Sequence, residues 1–244
     1  MNLTTLNLTL GSATRPFRLR PDSSDEKVVR QIFQNSDYNF GRLKRGPGLN
    51  AFYERLAASD KTPLIVDAGA NIGASPLYFS YSFPKARVVA IEPEKENFEL
   101  LSANTQGLPV ECVRAALASK PGTIELADAG MGSWAFRAAS LGASKTINQS
   151  VECVTINDIY AAHPSCAPFI AKIDIEGGEH DLFSANTEWV AKTPLIIIEL
   201  HDWLLTGTAN SRPFLQCISG YDRDFVHIGE NIFSIDNALL AAPA

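Results

Sequence analysis

The chain holds four cysteines in 244 residues, Cys112, Cys153, Cys166 and Cys217, and none stand in C-x-x-C spacing. That excludes a disulfide-framed scaffold and the common zinc-ribbon arrangements. Cys112 and Cys153 lie in apolar, strand-like runs, so reduced, buried thiols in a cytoplasmic protein are expected. No apolar run is long enough to span a bilayer. The first residues offer no basic segment ahead of an apolar core, so no secretory signal is expected either. Positive charge is in deficit: 21 Lys and Arg stand against 27 Asp and Glu, a formal net charge of -6. This argues against nucleic acid and against membranes as main partners. No internal repeat is visible. The G-x-G-x-x-G fingerprint of dinucleotide sites is missing as well.

What is present is a related but different turn. Leu64-Ile65-Val66-Asp67-Ala68-Gly69-Ala70-Asn71-Ile72-Gly73 reads as a short apolar strand, a glycine turn and a helix start. Asn71 stands where a second pyrophosphate-cradling glycine would be. The turn therefore suits a nucleoside ligand without a pyrophosphate, and S-adenosylmethionine is the obvious candidate. Nineteen residues beyond Gly73, a second apolar strand (Arg87 to Ile91) ends in Glu92. A carboxylate there can accept hydrogen bonds from both ribose hydroxyls. The competing reading is a plain α/β domain with acids at its strand ends for solubility.

The 45% hydrophobic content supports an ample core. Residues 1–60 are expected to form an N-terminal cap. It would comprise a hairpin around Gly11-Ser12, a helix capped by Asp25, a mobile basic loop from Gly41 to Gly48, and a helix over 50–58. Residues 61–244 are expected to form a Rossmann-like domain. Its strands are predicted at 64–67, 87–92, 110–114, 169–174 and 195–200, with helices at 72–82, 94–104, 178–186 and 212–220. This alternation implies an α/β, doubly wound, mostly parallel sheet. Residues 224–228 and 231–235 leave no room for a helix between them, which makes a seven-stranded sheet ending in an antiparallel hairpin. A β insertion is expected at about 120–155, with strands near 123–127 and 151–155.

A second constellation lies at Lys172-Ile173-Asp174-Ile175-Glu176-Gly177-Gly178-Glu179-His180. If the strand continues through it, Lys172, Asp174 and Glu176 share one face. Charges on a central parallel strand break the usual apolar run, and they need either pairing or a wet cleft. A functional cluster and a structural ion pair to Lys172 both satisfy that. The next strand ends in Glu199-Leu200-His201, which adds an acid and an imidazole on one face.

These segments resemble the FkbM family of S-adenosylmethionine-dependent methyltransferases. The motifs are V-D-A-G-A-N-I-G (66–73), I-E-P-E-K-E-N-F (91–98), K-I-D-I-E-G-G-E (172–179) and I-E-L-H-D (198–202), in matching order from about Asp25 to Phe233. Pro76, early in the first helix of the domain, is the one departure. The resemblance implies a class I, Rossmann-like O-methyltransferase acting on a small-molecule or sugar hydroxyl. It implies that Asp67, Gly69, Asn71 and Gly73 surround the methionine part and that Glu92 holds the ribose. Ala70, Pro93, Asn97, Ala115 and Asp174 complete the expected cofactor site. Asp174, Glu176, Glu199 and His201 are the candidate bases, with His201 and Asp174 leading, and Lys172 holds a carboxylate or orients the acceptor. Tyr38, Asn39 and Arg42 in the cap, with Ser133, Trp134 and Arg137 in the insertion, are candidate acceptor contacts. Trp134 reads equally well as a hydrophobic plug. A metal-assisted reaction and a cofactor-binding protein without catalysis are the alternatives, and no spacing singles out a metal site.

Overall fold

The computed structural model of the chain describes residues 2–128, 136–138 and 145–241, with backbone alone at 127–128, 136–138 and 145–148. The cap opens with an antiparallel hairpin of β1 (Thr4–Leu10) and β2 (Ala13–Leu19). Helix α1 (Asp25–Phe33) follows, then a 3-10 turn (Phe40–Arg42) and α2 (Gly46–Ala58). Asp25 does not cap α1. Its carboxylate is buried and accepts hydrogen bonds from Arg20 N, Nε and Nη2, which ties the hairpin to the helix. The segment from Gly41 to Gly48 is no loop either: the 3-10 turn and the first turn of α2 occupy most of it, with Leu43 buried.

The main sheet has seven strands in the order β12-β13-β11-β10-β3-β4-β5. They are β3 (Thr62–Ala68), β4 (Arg87–Ile91), β5 (Val110–Val113), β10 (Cys166–Ile173), β11 (Leu195–Glu199), β12 (Arg223–Ile228) and β13 (Asn231–Asp236). The first five run parallel, and β12 and β13 form the antiparallel hairpin expected at the end. Side chains alternate across the sheet. Ile65, Leu195 and Ile197 pack with Phe17, Leu49 and Tyr53 of the cap. Leu64, Val66, Ile196 and Ile198 pack with Trp189 and Phe214 on the opposite face. Both faces are covered, which is why these strands read as unbroken apolar runs.

The helices of this domain are α3 (Ala74–Ser82), α4 (Lys95–Asn104), α5 (Ile156–Ala162), α6 (Glu179–Leu182), α7 (Arg212–Ile218) and α8 (Asn237–Ala241). Pro76 falls in the first turn of α3, where an N–H would have no intrahelical acceptor. Helix α6 is four residues long, not the nine expected, because Ser184 closes it with a bond to Asp181 O. Among the described residues the insertion is a second sheet of four strands, ordered β6-β9-β7-β8. It comprises β6 (Ala116–Leu117), β7 (Gly122–Asp128), β8 (Phe136–Ala138) and β9 (Lys145–Val154), two strands more than expected. From β3 the chain winds outward through β4 and β5, then returns to place β10 on the other side of β3. The crevice at the carboxyl ends of β3 and β10 is thus the switch point where such sheets bind ligands.

Candidate functional site

Strand β3 ends in the turn Gly69-Ala70-Asn71. Gly69 has φ 75°, and a Cβ there would lie 1.7 Å from the Asp174 carbonyl oxygen. Glycine is therefore required because two strand-end loops meet, a reason separate from ligand approach. At Gly73, φ 94°, a Cβ would press on Leu101 of α4 at 3.2 Å, so that glycine serves helix packing. Asn71 takes φ 48°, a conformation asparagine tolerates better than most residues. Its N–H donates to Glu92 Oε2 at 2.8 Å. Glu92 Oε1 accepts from Glu94 N at 3.0 Å and from Asn97 Nδ2 at 3.4 Å. Three of roughly four acceptor positions on this carboxylate are thus taken. Burial outweighs these donors and pushes the Glu92 carboxyl up to about 7. Asn97 also accepts from Arg20 Nη2 at 2.7 Å, which links the cap to this wall.

A cavity of about 850 Å³ runs from Glu92, past the glycine turn, to the ends of β10 and β11. That volume suits a nucleoside-sized ligand with a second small molecule beside it. Gly69, Ala70, Asn71, Glu92, Pro93 and Asn97 line it, as do Tyr38, Lys172, Asp174, Glu176 and Glu199. Ala116, Leu117, Ile124 and Leu126 of the insertion form an apolar wall.

Several expected residues lie elsewhere. Asp67 is fully buried beneath the turn, Gly73 and Ala115 are buried behind the lining, and none of the three is among its residues. Arg42 is exposed and donates to Asp37 O at 3.4 Å, while Asn39 accepts from Gly41 N inside the 3-10 turn. Ser133, Trp134 and the side chain of Arg137 lie outside the described residues.

Lys172 resolves the choice left open between function and structural pairing. Parallel pairing sets it directly beside Asp67. Its Nζ stands 3.2 Å from Asp67 Oδ1 and 3.7 Å from Asp174 Oδ2, and it donates to Gly69 O at 2.7 Å and Ala68 O at 3.2 Å. Burial disfavours the charge, but Asp67, Tyr38 and Asp174 more than offset it, so the ammonium is held above its ordinary range. Two backbone hydrogen bonds and two carboxylates thus hold the ammonium, and the side chain clamps the turn to the end of β10.

Strand β10 stops at Ile173, so strand alternation does not carry through the acids that follow. Asp174 to Gly178 form a turn in which Glu176 adopts φ 53°. This turn, not a shared strand face, brings Asp174, Glu176, Glu199 and His201 together. His201 Nε2 lies 3.6 Å from Asp174 Oδ1, 3.5 Å from Glu176 Oε2 and 3.6 Å from Glu199 Oε1. Its Nδ1 lies 2.8 Å from Glu179 Oε1. Burial lowers its proton affinity, but Glu179, Asp174 and Glu176 together raise it to about 10. Surroundings of this kind favour the protonated ring and weigh against the neutral base expected of His201. Burial, with Asp174 next, pushes both Glu176 and Glu199 up to about 8.

Sequence reasoning quoted Glu179 within its motif without giving it a task. It is fully buried, and Asn210 Nδ2 donates to its Oε2 at 2.6 Å. Two further residues were missed. Asn210 and Trp203 both line the cavity, and the Trp203 ring lies 6.0 Å from that of His201. They sit between β11 and α7, where no periodic pattern marks them.

Comparison with known proteins places this geometry. A methyltransferase of Sordaria araneosa, sdnD, is 37% identical over 75 residues, 29% of this chain and 29% of its own length. The hexuronic acid methyltransferase AglP of Haloferax volcanii is 25% identical over 148 residues, 60% of this chain and 59% of its own. The matched stretches thus span less than two thirds of either relative. Among solved structures, the O-methyltransferase TomG of Streptomyces achromogenes aligns with 90% of this chain and 92% of its own, at 12% identity and a TM-score of 0.44. Residues 67–223 match the methyltransferase FkbM domain, from the acid at the end of β3 to the start of β12, and the chain belongs to the FkbM methyltransferase family.

Proposed function

We propose that this chain transfers a methyl group from S-adenosylmethionine to a hydroxyl oxygen of a small molecule or sugar. The observation that carries the reading is a single cavity with a nucleoside-type wall at one end and an acid cluster at the other. The residues present fit the cofactor. Glu92 is buried, held by two backbone N–H groups, and retains acceptor capacity for a ribose diol. The Gly69-Ala70-Asn71 turn forms the wall beside it, and Asp174, lining the same cavity, supplies a carboxylate for a positive charge. Bound there, S-adenosylmethionine would supply an electrophilic methyl group, with its sulfonium sulfur as the leaving group.

The chain's own residues do the rest. Most of the rate comes from holding the acceptor in line, which can supply several kcal/mol. The acceptor proton goes to a carboxylate of the Asp174, Glu176 and Glu199 cluster. General-base help of this kind is worth roughly 10²–10⁴. The apolar wall of the insertion keeps water from competing for the methyl. AglP, named as acting on a hexuronic acid, makes uronic acids and related sugars the first acceptors to try.

The test has two arms. Calorimetry with S-adenosylhomocysteine beside NAD should give binding of the former alone; binding of NAD alone would sink the cofactor assignment. Labelled methyl donor with a panel of sugars should then yield an alkali-stable ether. An alkali-labile methyl ester would move the acceptor to a carboxylate.

A further inference from the structure

The acid cluster has a geometry that proton transfer alone does not need. Asp174, Glu176 and His201 each offer one ligand atom, and these atoms lie within 4.8 Å of one another. The 3.5 and 3.6 Å separations from His201 Nε2 to Asp174, Glu176 and Glu199 are long for hydrogen bonds. They match ligand atoms that share one ion at about 2.1–2.2 Å, which stand roughly 3.0–3.6 Å apart.

One further observation points to a ligand at their centre. Glu176 is nine-tenths buried, and its Oε2 has no hydrogen-bond partner although it is aimed at His201 Nε2. His201 is also backed by a carboxylate, with Nδ1 on Glu179 and Glu179 fixed by Asn210. That arrangement sets the ring so that Nε2 faces the centre, as in metal-ligating histidines.

We propose that Asp174, Glu176 and His201 bind one divalent cation of the Mn²⁺ or Zn²⁺ class at the acid end of the cavity. A ring nitrogen among the ligands favours such ions over Mg²⁺ or Ca²⁺. The ion replaces the proton on His201 Nε2. It also draws in the acceptor oxygen and makes its proton easier to lose. This deepens the methyl-transfer reading and rests on the same cavity, but the ion is read without turnover, so either can fail alone.

The full chain, stripped with chelator, is titrated with MnCl₂ and separately with ZnCl₂ by calorimetry. One ion per chain is expected. Glu176→Gln, which keeps size and shape, and His201→Ala should each weaken binding at least tenfold. Pulsed electron paramagnetic resonance of the Mn²⁺-loaded chain should show a histidine nitrogen that disappears in His201→Ala. Failure of both metals to bind below millimolar concentration would overturn the proposal, as would unchanged binding in Glu176→Gln. S-adenosylhomocysteine titrated into the same samples reports on the cofactor wall. Ion binding without it would sink the transfer reading and leave the metal site standing.

Discussion

Cofactor affinity should depend on pH through Glu92. Its carboxyl sits at about 7 in the free protein because burial outweighs the Asn71, Glu94 and Asn97 donors. Ribose hydroxyls donate to the ionised form, so binding pulls this value down and releases a proton. Affinity must therefore fall as pH drops below about 7 and level off above it. With a value near 7, roughly nine-tenths of the carboxylate is ionised at pH 8 and one-tenth at pH 6. S-adenosylhomocysteine should bind about tenfold more weakly at pH 6, a change of about 1.4 kcal/mol. Glu92→Gln should bind more weakly throughout, with this component of the slope gone. The free protein supplies an independent check. A carboxyl raised from 4.5 to about 7 binds more protons folded than unfolded, so its contribution to stability declines as pH rises from about 4.5 to about 7. The full decline is on the order of 3 kcal/mol, and it should be missing from Glu92→Gln in urea titrations across that window. Calorimetry giving the same pH slope in wild type and Glu92→Gln would refute the assignment of Glu92 to the ribose.

Lys172→Met removes the charge partner of Asp67 and leaves a fully buried carboxylate unpaired; it should cost about 3–5 kcal/mol of stability, read from urea midpoints. Gly69→Ala places a Cβ 1.7 Å from the Asp174 carbonyl at φ 75°, so loss above about 4 kcal/mol or failure to fold is expected; near-native melting would show that the two loops separate freely. Trp203→Ala should raise KM for the acceptor while leaving S-adenosylhomocysteine affinity within about twofold; equal loss of both would make Trp203 part of the cofactor wall.

The sheet was legible because its signals are local. Apolar runs such as Leu195 to Ile198, bounded by turn residues, can satisfy their backbone only in a doubly covered sheet, and the lack of a linker between β12 and β13 dictates a hairpin. Where the charged turn leads was not legible, since it depends on one backbone angle. A strand continued through Asp174 and Glu176 keeps Ile175 on the opposite face. The left-handed conformation at Glu176 instead folds the segment over, so that residues from two strand ends converge on His201. No periodicity encodes such a turn, because periodicity reports regular structure and this turn departs from it. The partners of His201 were hidden for the same reason. Its proton affinity is set by Glu179, 22 positions away and fixed by Asn210 from a loop without pattern. Lys172 was ambiguous in the sequence because the residue beside it belongs to another strand. Once register puts Asp67 there, its charge is explained by pairing, and beyond β10 the buried Glu176 Oε2 atom is the one left without a hydrogen-bond partner.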